Sequence, residues 1–120
     1  MLKDWTALAT EMSADLRKLR AGTPEVMKGF SALAQAALKA DALDTRTKEL
    51  IALAISVATR CDACIAFHAE AALKQGATRE QVLETMGMAI YMGAGPSVMY
   101  AAQALEAFDQ VHDRANAQAA

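Results

Sequence analysis

From Thr85 to Leu105 the chain carries no charged side chain, and a stretch of that length belongs either in a bilayer or inside protein. A membrane-spanning helix needs about 20 consecutive, predominantly apolar residues. Here Gly93, Gly95 and Pro96 break the run, and Tyr91, Ser97, Tyr100 and Gln103 place polar groups along it. The run therefore reads as two buried helical segments meeting at a glycine–proline junction. A second uncharged run, Leu50 to Thr59, is too short to span. Hydrophobic residues make up 54% of the chain but aromatic residues only 5%. Sheets draw on β-branched and aromatic side chains, whereas alanine, leucine and methionine favour helix. The implied fold is an all-α bundle, and 120 residues suit one domain with a single core.

Punctuation then counts the helices. Trp5, Leu8, Met12, Leu16 and Leu19 recur at helical spacing in a first helix from about Asp4 to Arg20, stopped by Gly22. Thr23-Pro24 is an N-cap with proline at the first helical position, opening a second helix to about Ala40. Asp44-Thr45 opens a third, whose Leu50, Ile51, Leu53, Ile55 and Val57 leave so little polar face that it is expected inside the bundle. A fourth runs from about Cys61 to Gly76. Thr78 and Gln81 have capping-box spacing and open a fifth to about Met92; Pro96 starts a sixth, through about Arg114, before a fraying alanine-rich tail. About six helices are expected, in one domain over residues 1–120. Its motif-bearing core is about 23–114, preceded by an N-terminal helix over 1–22.

With 12 Lys+Arg against 14 Asp+Glu, a net charge of −2, there is no basic face for a phosphate backbone. Neither a nucleic-acid nor a membrane partner is expected. Asp4, Glu11 and Asp15 interrupt the N-terminus where a secretory signal is apolar. The expected compartment is the reducing cytoplasm, where a CxxC pair serves redox chemistry or metal more often than a permanent staple. Helices three, five and six are apolar around much of their circumference, and Ala89, Gly93, Ala94, Ala101, Ala102 and Ala104 permit close helix approach. Both features point to a homo-oligomer, although alanine is also simply a good helix former on surfaces.

The chemistry concentrates in Arg60-Cys61-Asp62-Ala63-Cys64-Ile65-Ala66-Phe67-His68. Each helical residue turns the chain by roughly 100°, so Cys61, Cys64 and His68 share one stripe. Both sulfurs fall in the first turn, where the helix dipole favours thiolate. Thiols at this spacing can close a disulfide with little backbone movement. Glu49, near the start of the third helix, either suits the dipole there or faces His68 and passes protons to and from sulfur. Two other readings compete. Zinc could take Cys61, Cys64 and His68, but a structural site wants four ligands, and three on adjacent turns of one helix suit tetrahedral geometry poorly. Inert cysteines beside a core histidine are the other.

The stretch Thr45 to Phe108, with KELIALAISVATRCDACIAFHAEAALKQGAT and REQVLETMGMAIYMGAGPSVMYA, resembles the AhpD-like alkylhydroperoxidases of the carboxymuconolactone decarboxylase superfamily. The resemblance rests on Glu49, Cys61, Cys64 and His68 recurring together at that family's spacing. It implies an all-α homotrimer or homohexamer acting as an antioxidant thiol peroxidase or disulfide oxidoreductase on hydroperoxides. Under it Cys64 attacks the peroxide, Cys61 resolves, and Glu49 and His68 belong to the proton relay. No bound cofactor is expected; an external dithiol, of lipoyl or thioredoxin type on a donor protein, is expected to reset the pair. AhpD has a histidine immediately before its second cysteine, where this chain has Ala63. That departure leaves a non-catalytic redox sensor or binding module as the alternative. Lyase chemistry is the superfamily's other branch, but it does not depend on a CxxC.

Among the remaining residues, Met86, Met88, Met92 and Met99, with Tyr91 and Tyr100, read as adaptable core or subunit interface, and otherwise as an apolar pocket for organic hydroperoxides. Trp5 reads as a packing anchor, His112 as part of a solvated face, and Arg60 as either a local source of positive potential or an exposed helix-end residue.

Overall fold

Capping side chains set where the helices begin. In the computed structural model, which describes residues 1–119, the order is α1 (Trp5–Gly22), α2 (Pro24–Leu38), α3 (Thr45–Ala58), α4 (Asp62–Lys74) and α5 (Arg79–Ala119). Asp4 Oδ1 accepts from the Ala7 amide at 3.0 Å and Asp44 Oδ1 from the Thr47 amide at 2.7 Å. The Thr78/Gln81 pair forms a reciprocal capping box, at 3.0 Å and 3.1 Å. Thr23 departs from expectation: its side chain makes no capping bond, because the residue also closes α1 through its amide to Leu19 O at 2.9 Å.

The expected fifth and sixth helices are the two arms of α5. They meet at Ala94, whose φ of 58° and ψ of −151° are not helical, two residues before Pro96. The second arm continues to Ala119 rather than stopping near Arg114, since an alanine-rich segment has little reason to leave the helix.

Helices α3, α4 and α5 pack against one another, and α1 lies against α4 and α5. Trp5, Leu53, Ile65, Val57, Val82 and Phe108 are essentially inaccessible, each contributing about 1.5–3 kcal/mol by burial. Between them lie Ala66, Ala69, Ala72, Ala101, Ala104 and Ala107, all buried. Several small residues therefore bring helices together within the protomer.

Two surfaces stay open. The expectation that α3 is wholly internal fails, because Ile51 and Ile55 are 44% and 57% exposed on the side facing away from α4 and α5. The methionine group is likewise divided: Met86 is buried, whereas Met88, Tyr91, Met92 and Met99 are exposed. Helix α2 buries no residue at all. Its projection accords with a radius of gyration of 14.6 Å, above the ~13.6 Å usual for this length. No helix among the described residues is long and apolar enough to cross a membrane.

Candidate active site

The short link between α3 and α4 places the cysteines. The Cys61 amide donates to Ser56 O at 3.0 Å and the Arg60 amide to Val57 O at 3.2 Å, closing α3 in a Schellman motif. The same Cys61 is the N-cap of α4, its Sγ accepting from the Cys64 amide at 3.2 Å. One residue thus ends one helix and begins the next. This geometry requires Arg60 at φ 55°, in the left-handed region that glycine occupies without strain. The equivalent turn after α4 uses Gly76, at φ 85°.

Cys61 and Cys64 are joined as a disulfide, with Cα atoms 5.2 Å apart. Both are half-buried, so the bond is neither sealed in the core nor fully in solvent. His68 follows Cys64 by one helical turn. Its Nδ1 lies 2.7 Å from Glu49 Oε1, which bridges α4 to α3. The carboxylate side chain is 7% exposed and the imidazole 32%. A buried carboxylate needs a partner to offset lost hydration, and His68 supplies it. Of the four residues singled out from the sequence, Cys61 and Cys64 are joined at the α3–α4 link and Glu49 and His68 are in direct contact between the same two helices.

The N-terminal segment adds groups that no local pattern announced. Lys3 Nζ contacts Asp62 Oδ2 at 2.5 Å and Gln103 Oε1 at 2.6 Å, and sits 5.3 Å and 5.8 Å from the ring centres of Trp5 and Tyr100. Glu106 accepts from the amides of Leu2 at 2.7 Å and Lys3 at 2.9 Å and from Trp5 Nε1 at 2.8 Å. The backbone donors of Leu2 and Lys3, then the Trp5 indole, hold the Glu106 carboxyl below the usual glutamate range. Gln110 completes the clasp, accepting from the Trp5 amide and donating to Lys3 O. Lys3 and Asp62 are 59 positions apart and the other partners about a hundred, beyond any periodicity a sequence displays.

An open groove of about 610 Å³ runs between α1, α4 and the end of α5, lined by Thr10, Phe67, Lys74, Val111 and Arg114 among others. Neither the cysteines nor the methionine group lines it. Among the described residues no three His, Cys, Asp or Glu side chains gather in a metal-binding arrangement. Arg60 is an exposed helix-end residue, and Trp5 is the expected anchor, 1% exposed. His112, half-exposed, stacks on Phe108 with ring centres 6.1 Å apart.

The chain is thus an all-α protein that carries a CxxC disulfide at a helix start and, on the same helix, a half-buried histidine paired with a buried glutamate. Residues 24–107 match the carboxymuconolactone decarboxylase family, and the chain belongs to that family. A protein of Cupriavidus necator is 38% identical over 112 residues, 93% of this chain and 99% of its own length. One from the cox locus of Paracoccus denitrificans is 39% identical over 77% of this chain and 82% of its own. The crystal structure of a carboxymuconolactone decarboxylase family protein from Legionella pneumophila superimposes with a TM-score of 0.87 at 54% identity, covering 89% of this chain and 96% of that one. A family protein from Thermotoga maritima shares the fold, with a TM-score of 0.82 at 24% identity over 92% and 94% of the two chains.

Proposed function

We propose that this protein is a CxxC-dependent peroxidase and disulfide oxidoreductase that reduces alkyl hydroperoxides at the expense of an external dithiol. The observation that carries the reading is the 2.7 Å contact between His68 and Glu49, one turn beyond a cysteine pair already close enough to be bonded. In the reduced protein the Cys64 thiolate attacks the distal peroxide oxygen, forming the S–O bond of a sulfenic acid as the O–O bond breaks. The departing alkoxide takes a proton and leaves as the alcohol. With Nδ1 donating to Glu49, the other imidazole nitrogen of His68 takes the thiol proton as the Cys64 thiolate forms, and the resulting imidazolium hands that proton to the alkoxide. Cys61 then attacks the Cys64 sulfur, water leaves, and the disulfide forms. A dithiol of lipoyl or thioredoxin type reduces it by exchange, becoming a disulfide itself.

Ala63, where AhpD carries a histidine, favours a second reading as a redox sensor that oxidises once per reduction without sustained turnover. Steady-state consumption of an organic hydroperoxide with dihydrolipoamide separates the two. The peroxidase reading expects continued turnover that Cys64→Ser abolishes; a single stoichiometric oxidation of the thiols would establish the sensor, and unaltered turnover in Cys64→Ser would overturn the assigned nucleophile. Reduced cysteines cycling in this way suit the cytoplasm.

The reading includes self-assembly as a homotrimer or homohexamer. Its support is helix α2, which buries nothing yet carries Val26, Phe30 and Leu33 at 68%, 62% and 64% exposure on one face. An isolated helix of this length is marginal in water, so a neighbouring copy is the natural cover.

A further inference from the structure

Asp62 is a poor neighbour for a thiolate. It occupies the first position of α4, between Cys61 and Cys64 in sequence. A carboxylate there suits the helix dipole but opposes negative charge on either sulfur. Lys3 answers it from the far end of the chain, and its placement is over-determined. The ammonium meets Asp62 and Gln103 and faces two aromatic rings, while its own amide and carbonyl are held by Glu106 and Gln110. A lysine near a chain end normally retains its rotamer freedom; this one is fixed from both its backbone and its side chain.

Resting on the peroxidase reading, in which the pair cycles through free thiols, we propose that Lys3 is a positioning residue. It neutralises Asp62 and so keeps the first turn of α4 hospitable to thiolate once a dithiol has opened the disulfide. The other charged groups around this turn do not do the same work. Glu49 and His68 are engaged with each other, and Glu106 is taken up by three N–H donors. Arg60 on the connecting turn is exposed and screened by solvent. The Tyr100 ring lies under the ammonium, its centre 5.8 Å away. Lys3 is therefore the cation in contact with the carboxylate that stands between the two cysteines in the chain.

The test is a double-mutant cycle on the reduced protein, reading the pH midpoint of alkylation by iodoacetamide, with melting temperature measured alongside. Lys3→Met keeps the aliphatic stem and exposes Asp62, and should raise the midpoint by about one unit, roughly tenfold slower alkylation below it. Asp62→Asn should lower the midpoint. Adding Lys3→Met to Asp62→Asn should then move it by much less than the same change does alone. A midpoint unmoved in Lys3→Met, even with a lowered melting temperature, would reduce Lys3 to a structural clasp and overturn the inference. Should Lys3→Met not fold, Asp62→Asn decides alone: a falling midpoint sustains the inference and an unmoved one overturns it. Peroxide turnover by the unaltered chain is recorded in parallel. Absent turnover with a shifted midpoint overturns the peroxidase reading but not the role of Lys3; turnover without a shift does the reverse.

Discussion

Glu49 Oε1 and His68 Nδ1 meet at 2.7 Å across the α3–α4 packing surface, although nineteen positions separate them in the chain. The carboxylate is nearly inaccessible and the imidazole only partly so, an arrangement in which one group orients the other. Glu49→Gln keeps the shape and removes the charge. On the proposed mechanism it should lower peroxide turnover by about 10²-fold or more, while dithiol exchange at the disulfide, which does not need an alkoxide protonated, changes far less. Steady-state turnover and single-turnover reduction of the disulfide, measured on the same preparation, check this. An equal loss in both would assign Glu49 to holding the α3–α4 junction rather than to proton transfer.

Arg60 makes a stability prediction. It takes a left-handed conformation at φ 55°, at a place where the chain's other Schellman turn uses glycine. Relieving that strain outweighs the extra entropy of glycine in the unfolded chain, so Arg60→Gly should stabilise the protein by about 1 kcal/mol. Urea unfolding of reduced protein is the measurement, free of the disulfide's own contribution. A loss of stability would mean that the arginine side chain makes a compensating interaction within the fold.

The clasp around Glu106 predicts an acid dependence. Its folded-state carboxyl titrates below the ordinary range, first because the Leu2 and Lys3 amides donate to it and then because the Trp5 indole does. A lowered value means that the ionised form is preferred in the folded protein. The associated stability is therefore complete above the ordinary glutamate range and lost as pH falls through the lowered value. Melting temperature against pH should decline in that acid window in the natural protein and less steeply in Glu106→Gln. Parallel curves for the two proteins would contradict it.

Assembly through α2 predicts a separation of effects. Because α2 buries nothing in the protomer, Phe30→Asp should shift the sedimentation profile from oligomer toward monomer, with any loss of helical content no larger than α2 itself. An unchanged oligomer would move the interface elsewhere, with the exposed Ile51, Ile55, Met88 and Met92 the next surface to probe. A monomeric natural protein would overturn the assembly reading altogether.

Ser97 bears on how the α5 bend is built. Its hydroxyl is buried with no hydrogen-bond partner, and a Cβ on Gly93 would fall directly on it. Ser97→Ala should therefore be neutral or mildly stabilising, since it removes an unsatisfied polar group. Gly93→Ala should cost about 1–3 kcal/mol through overpacking. Thermal unfolding of both variants tests the pair, and an intolerant Ser97 beside a tolerant Gly93 would contradict this account of the bend.

Only local features were legible along the chain. Capping residues, helical spacing and the Gly93–Pro96 interruption located the helices, because each reflects interactions within a few residues along the chain. The same periodicity put Cys61, Cys64 and His68 on one stripe. It left open whether Glu49 served the helix dipole or faced His68, since both fit a first-turn acid; the packing of α3 on α4 brought the two into contact. It wrongly buried Ile51 and Ile55, because apolar periodicity identifies a face without saying whether the protomer itself covers it. It gave no sign of Lys3, Asp62, Gln103 and Glu106 as one network. Their proximity exists only once α1 lies against α4 and α5, and a contact between distant positions follows from how helices pack, not from the pattern of residues within any one of them.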